Sequence, residues 1–303
     1  MDKIGFLFSG QGAQYPGMGK AWYDSDSKIK ELFDTAEAMR PGTLKIMFSG
    51  SEEELKATAN TQPALYLADL AAAAAAKKAG LNPSAAAGFS LGEIPALAFA
   101  GAYSYTDGFR LACRRGEFMQ KASEKVTAAM AAIVKLPNET VEELCSHYDS
   151  VYPVNYNCPG QLVVSGIPEQ LEAFYGEVKA AGGRALPLKV GGGFHSPFMD
   201  SASAQFGEEL AKYTFTPTAI PAYSNRTAEI YGEDYKAILT EQINHPVKWE
   251  EIIRKMADSG ITVFIETGVG SVLTKLIPKI LPESRAYVCS SPEELEKILT
   301  ELK

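Results

Sequence analysis

The chain has 303 residues, 46% of them hydrophobic, enough to bury a large core as one big domain or as two of ordinary size. A formal net charge of -8 leaves no basic field for a phosphate backbone, which excludes nucleic acid as a partner and means that an anionic substrate needs a local cation. The longest apolar stretch, Leu65 to Ala76, contains Asp69 and falls short of the roughly 20 residues that span a bilayer, and the N-terminus carries no secretory signal, so a cytoplasmic protein away from membranes is expected.

Residues 3 to 8 read as a buried strand ending in a loop, Ser9 to Gly19, where glycines and Pro16 prevent regular structure and let backbone approach a ligand. Helical patterns follow at 27 to 39, 51 to 58 and 62 to 79, the last rich in alanine and closed by Gly80. Ala85 to Gly88 then reads as a strand with the apolar helix Leu91 to Ala100 directly behind it, so Ser90 stands where strand becomes helix. From about Met130 the period changes, giving strand 130 to 136, helix 138 to 148, strands 151 to 156 and 161 to 165, helix 168 to 181 and strand 184 to 190. That βαββαβ order predicts a ferredoxin-like unit. The segments on either side share the βα rhythm of a larger parallel-sheet domain, so the unit is expected to be an insertion. The rhythm resumes with helix 246 to 258, strand 261 to 265, the turn Thr267 to Ser271, helix 271 to 280 and a last helix, 291 to 302.

Gly88-Phe89-Ser90-Leu91-Gly92 fits the GxSxG nucleophile elbow, in which small residues at both ends allow a sharp turn that projects the serine oxygen outward. N–H groups at the start of the following helix lack internal partners, and the helix dipole adds partial positive charge beside an acyl-serine. Pro95, read as the fifth helical position, leaves the donors at Leu91 to Ile94 free. A serine hydroxyl needs a base within reach, and the chain has three histidines. His147 ends an amphipathic helix and His245 precedes Pro246 in a turn, both ordinary structural places. His195 follows Gly191-Gly192-Gly193-Phe194 where the chain leaves the inserted unit, and composition leaves it open between a loop histidine and a base.

The loop Gly10-Gln11-Gly12-Ala13-Gln14 lacks the spacing of a nucleotide cradle and better supplies oxyanion N–H donors facing the elbow. On the helix after Asp107, Arg114 shares its face with Arg110, Glu117 and Lys121, whereas Arg115 shares its own with Leu111, Ala112, Phe118 and Met119. Arg115 therefore points inward, to meet either a substrate carboxylate or one of the 37 acidic side chains. Cys113, Cys145, Cys158 and Cys289 are far apart and unpaired in pattern, as expected of reduced, non-catalytic thiols with no zinc.

Together with Thr61-Gln62-Pro63-Ala64-Leu65, Arg115-Gly116, Asn155 to Gly160, Phe194-His195-Ser196 and Asn244 to Trp249, these motifs resemble the malonyl-CoA:acyl carrier protein transacylases of fatty acid and polyketide synthesis over essentially the whole length. The resemblance implies Ser90 as nucleophile, His195 as its base, Arg115 as carboxylate clamp, and Gln242 as the residue whose carbonyl oxygen orients the histidine. It further implies the backbone N–H groups of Gln11 and Leu91 as the oxyanion hole, and Phe194 as an aromatic filling the space of an α-methyl group. The expected fold is an α/β hydrolase-like parallel-sheet domain, 1–127 and 194–303, with a ferredoxin-like insertion, 128–193. The expected partners are malonyl-CoA and an acyl carrier protein, with no cofactor or metal. A trans-acting polyketide acyltransferase and a carrier-protein acyl hydrolase are the rival activities. Two positions depart from the family pattern: Phe89, where histidine is usual, and Val269, where proline is usual.

Overall fold

The computed structural model describes residues 2–302. Two sheets organise the chain. The first contains β1 (Lys3–Phe8) and β2 (Pro83–Gly88), joined later by β7 (Ala222–Tyr223), β8 (Ile261–Thr267) and β9 (Arg285–Cys289) in the order β7-β2-β1-β8-β9. All its pairs are parallel, and β1, β2 and β8 are apolar with little exposure, as strands covered by helices on both faces must be. The second sheet is antiparallel and built from β3 (Ala129–Val134), β4 (Val151–Cys158), β5 (Gln161–Gly166) and β6 (Arg184–Pro187), ordered β4-β5-β3-β6. With helices Asn138–Cys145 and Pro168–Ala180 crossing between strands, this is the ferredoxin-like arrangement expected from the element order. A core of its own, including Ile133, Leu162, Val164, Leu171 and Phe174, holds it together.

The edge strand β4 is tied to the segment before Trp249: the Tyr156 N–H donates to the Val247 carbonyl at 2.9 Å and the Val247 N–H to that of Val154 at 2.9 Å. This bridge also explains why the helix expected from 246 begins only at Trp249, since Val247 is spent on β4. Beneath the first sheet's functional edge the alanine-rich helix runs from Thr58 to Lys78, four residues earlier than expected, with Pro63 inside it. Its first turn is held from outside: the Ala59 N–H donates to Gln120 Oε1 at 3.0 Å. Helix Tyr105–Ser123 crosses it closely, because a Cβ on Gly116 would lie 2.8 Å from the Thr58 carbonyl oxygen. That close crossing brings Arg115 under the elbow.

Several elements carried no signal strong enough to be expected: helices Lys20–Ser25, Thr43–Ser49, Asp200–Leu210 and Tyr235–Gln242, and strands β7 and β9. β6 stops at Pro187, short of the expected 190, although the Leu188 N–H still donates to the Met130 carbonyl at 2.8 Å.

Candidate active site

The site is assembled at the carboxyl ends of β1 and β2. Ser90 holds φ at 53°, a left-handed value that a non-glycine residue keeps only where the surroundings fix it. Here they do. A Cβ on Gly88 would lie 1.9 Å from the Gly92 carbonyl carbon, and one on Gly92 would lie 2.2 Å from the Phe8 carbonyl oxygen, so both ends of the motif must be glycine. Ser90–Gly92 forms a short 3-10 turn, and the α-helix proper begins at Glu93, a correction to the helix expected from Leu91. Pro95 is then the third α-helical residue, where a missing N–H costs nothing.

The Ser90 hydroxyl lies 2.7 Å from His195 Nε2. On the far side of the ring, Nδ1 lies 2.9 Å from the main-chain carbonyl oxygen of Gln242, an acceptor only, so Nδ1 carries the proton and Nε2 is free to accept from Ser90. Burial, then the positive charge of Arg115, pushes the imidazole down to a pKa of about 3, which keeps it neutral at ordinary pH. His195 holds φ at 60°. His147 instead pairs with Glu177 at 2.8 Å in the small unit, and His245 Nδ1 bonds the Glu241 carbonyl at 2.9 Å.

Arg115 is fully buried, and its neighbour Arg114 is not. Its Nη2 donates to Gln242 Oε1 at 2.9 Å and to Ser90 Oγ at 3.3 Å, while Nε and Nη1 have no partner. Burial pulls its pKa down to about 10, so the guanidinium stays charged at neutral pH. Two buried, unpaired donors on a cation beside a serine hydroxyl are able to bind a carboxylate. The alternative of an ion pair with an acidic side chain does not occur: the nearest candidate, Glu93, reaches Arg115 only through Gln242, whose Nε2 donates to Glu93 Oε2 at 3.0 Å.

Sequence reasoning did not single out the polar scaffold behind these residues. Asn225 Oδ1 accepts from the Ser90 N–H at 2.7 Å, and its Nδ2 donates to the Gly88 carbonyl at 2.6 Å, so one side chain fixes both sides of the elbow. Glu93, buried and with its pKa pushed up to about 7 by desolvation, accepts from Tyr231 Oη and from the Asn225 N–H at 3.2 Å. The signal was present for Glu93, a carboxylate in the otherwise apolar helix after the elbow. Asn225 lies in an irregular segment after β7 with no pattern around it.

With the Ser90 N–H bonded to Asn225 and the Gly92 N–H to the Phe89 carbonyl at 2.9 Å, Leu91 supplies the elbow's available N–H. Opposite it the Gly10 backbone packs so closely that a Cβ there would lie 2.6 Å from the Phe89 carbonyl oxygen, which places Gln11 at the mouth. A cavity beside Ser90 and His195 is lined by Gln11, Gln62, Met119, Met130 and Phe194. Phe89 lines it too and packs edge-on against Trp249 at 5.4 Å between ring centroids, so the aromatic that replaces the usual histidine is a packing group. All four cysteines are buried away from this cavity, and burial pushes Cys113, Cys145 and Cys289 up to about 12.

An elbow serine, a neutral histidine within hydrogen-bond reach and backbone donors at a helix start define an α/β enzyme able to form an acyl-serine. The chain belongs to the acyl transferase domain family, whose model matches residues 5–294. It is 39% identical to the malonyl CoA-acyl carrier protein transacylase of Bacillus subtilis, over all of this chain and 98% of that protein. The enzyme of the same name from Escherichia coli K12 is 36% identical over 99% of each. Among solved structures, the malonyl CoA-acyl carrier protein transacylase of Clostridium perfringens superposes with a TM-score of 0.95 at 36% identity, covering 99% of this chain and 97% of that one. A malonyl-transacylase in complex with a type II polyketide acyl-carrier protein superposes at 0.93 with 32% identity, covering 99% of each.

Proposed function

We propose that this protein moves a malonyl group from malonyl-CoA to the phosphopantetheine thiol of an acyl carrier protein through an ester on Ser90. The observation that carries the reading is the Ser90 Oγ to His195 Nε2 distance of 2.7 Å beside the two unpaired donors of Arg115. His195 Nε2 takes the hydroxyl proton as Ser90 Oγ attacks the thioester carbonyl, and the oxyanion is met by the N–H groups of Leu91 and Gln11. Collapse expels the coenzyme A thiolate, which receives the proton from His195. In the second half-reaction the carrier thiol gives its proton to His195 and attacks the ester, and Ser90 recovers its own. Arg115 holds the malonyl carboxylate throughout, and Phe194 limits the space at the α-carbon. Every step is proton transfer or acyl transfer, so neither metal nor redox cofactor is called for.

The unpaired guanidinium also favours this activity over a carrier-protein acyl hydrolase, whose uncharged acyl groups would leave it buried without an anion. Among the described residues no helix is long and apolar enough to cross a membrane. A cytoplasmic location is proposed from the likeness to malonyl CoA-acyl carrier protein transacylases. The parallel-sheet body, 1–127 and 194–303, is proposed to carry the nucleophile and base, with the insert 128–193 closing over the acyl group. Intact-protein mass spectrometry after incubation with malonyl-CoA tests the reading. Wild type gains one malonyl group and loses it to carrier protein, and Ser90→Ala gains none. A malonyl adduct persisting on Ser90→Ala would end the proposed mechanism.

A further inference from the structure

The helix Thr58–Lys78 carries one acidic residue that the mechanism does not use, Asp69, and it is completely buried. Its Oδ1 accepts from the Ser9 hydroxyl at 2.6 Å, while Oδ2 has no partner. The turn after β8 closes over the carboxyl: Gly268 sits at φ 106°, a Cβ there would lie 1.7 Å from Asp69 Oδ1, and the Val269 N–H donates to Ser9 Oγ at 3.4 Å. Proline, usual at 269 in the family, could not make that last bond. Desolvation pushes the Asp69 pKa well above the usual carboxylate range. A half-satisfied carboxyl among Ala68, Leu70 and other buried apolar neighbours costs stability that an alanine would avoid.

That cost falls where it has a use. Ser9 is the residue after β1, and the elbow presses on the same short segment from the opposite side. The Phe89 N–H donates to the Phe8 carbonyl at 3.0 Å, and Gly10 and Gly92 have no room for a Cβ against Phe89 and Phe8. Residues 8–10 are thus clamped between the elbow and Asp69, and Gln11 comes next. We propose that Asp69, through Ser9, is a positioning residue that sets the Gln11 N–H at the distance from Ser90 that the oxyanion requires. The inference rests on the acyl-serine reading above. Oxyanion donors act only near 2.7–3.1 Å, so slack at Ser9 is expressed as lost rate rather than lost binding.

Rapid-quench labelling with radiolabelled malonyl-CoA separates the two, because burst amplitude counts folded sites and burst rate reports acylation at each. Asp69→Ala and Ser9→Ala are expected to slow the burst about tenfold or more, a fraction of the 10²–10³ that a whole oxyanion donor is worth, at an amplitude near that of wild type. Asp69→Asn keeps an oxygen acceptor for Ser9 and is expected to recover most of the rate lost in Asp69→Ala. Burst rates within threefold of wild type in Ser9→Ala, a loss confined to amplitude, or an Asn variant as slow as the Ala variant would each overturn the inference. Should Asp69→Ala not fold, Ser9→Ala decides alone. Absence of any burst in wild type would instead bring down the acyl-serine reading, and this inference with it.

Discussion

Replacing Arg115 by alanine puts a number on the carboxylate seat. Of the guanidinium's donors, Nη2 is engaged by Gln242 and Ser90, which leaves Nε and Nη1 for the substrate. Two hydrogen bonds to a charged acceptor are worth about 1.5–3 kcal/mol each, so on the proposed role of Arg115 about 3–6 kcal/mol of malonyl recognition is expected to rest here. Steady-state transfer to carrier protein should therefore lose between about 10²- and 10⁴-fold in kcat/KM for malonyl-CoA. Acetyl-CoA should improve relative to malonyl-CoA, because no buried cation is left to penalise an uncharged acyl group. Lysine at 115 should rescue little, as an ammonium cannot reproduce the fixed planar set of guanidinium donors. The control is Arg114→Ala. Arg114 side chain is 41% exposed and pairs with Glu117, so its loss should change kcat/KM by less than about threefold. A mild Arg115→Ala beside a damaging Arg114→Ala would refute both the clamp and the helical-face reasoning that located it.

Phe194 lies against the base and lines the acyl cavity, so Phe194→Ser should relax the preference for malonyl-CoA over methylmalonyl-CoA by up to about 1–3 kcal/mol; an unchanged ratio of kcat/KM would remove Phe194 from selectivity. Burial and Arg115 depress the His195 pKa from 6.5 to about 3, so the acid limb of kcat/KM for acylation should fall well below pH 6.5, and an inflection at 6.5 would contradict a buried neutral base. The same shift has a sign for stability: between those values the unfolded chain binds a proton the folded one refuses, so stability falls as pH drops through that window. Gln242→Ala keeps the main-chain carbonyl that bonds His195 Nδ1, so it should cost rate while leaving the position of that acid limb unchanged, and a limb moved toward 6.5 would show that the side chain, not the carbonyl, sets the base.

What the chain order made legible was whatever repeats a period or needs a glycine. The βαββαβ insert is readable because its strands alternate over a core of its own, and the elbow because Gly88 and Gly92 admit no other residue. Arg115 was placed by helical geometry alone, since the adjacent Arg114 falls on the solvent side of the same helix. The polar scaffold was not legible, because its members come from separate elements whose meeting depends on tertiary packing. Asn225 touches the elbow across 135 residues of chain, and Tyr231 reaches Glu93 across 138. β7 spans two residues and owes its existence to the neighbouring β2, so no local pattern could announce it. The early start of the alanine-rich helix has the same origin: Gln120, on another helix, satisfies the N–H of Ala59.

Gln242 shows why these pieces have to act together. Its main-chain oxygen fixes the His195 tautomer, its Oε1 accepts from Arg115, and its Nε2 donates to the Ser90 carbonyl at 2.7 Å and to Glu93 at 3.0 Å. A carboxylate at 242 would reach the same atoms but would neutralise Arg115 and face Glu93, and an aliphatic residue would leave Arg115 Nη2 with only the Ser90 hydroxyl. Only a neutral group that both donates and accepts can bridge a buried guanidinium to a buried carboxyl without cancelling the charge of the first. The bridge leaves Nε and Nη1 of Arg115 uncommitted, and the Glu93 carboxyl stays far enough away to bias the guanidinium without occupying it. On the role proposed for Arg115, specificity for a charged acyl group is thus a property of what the network withholds from that residue as much as of the residue itself.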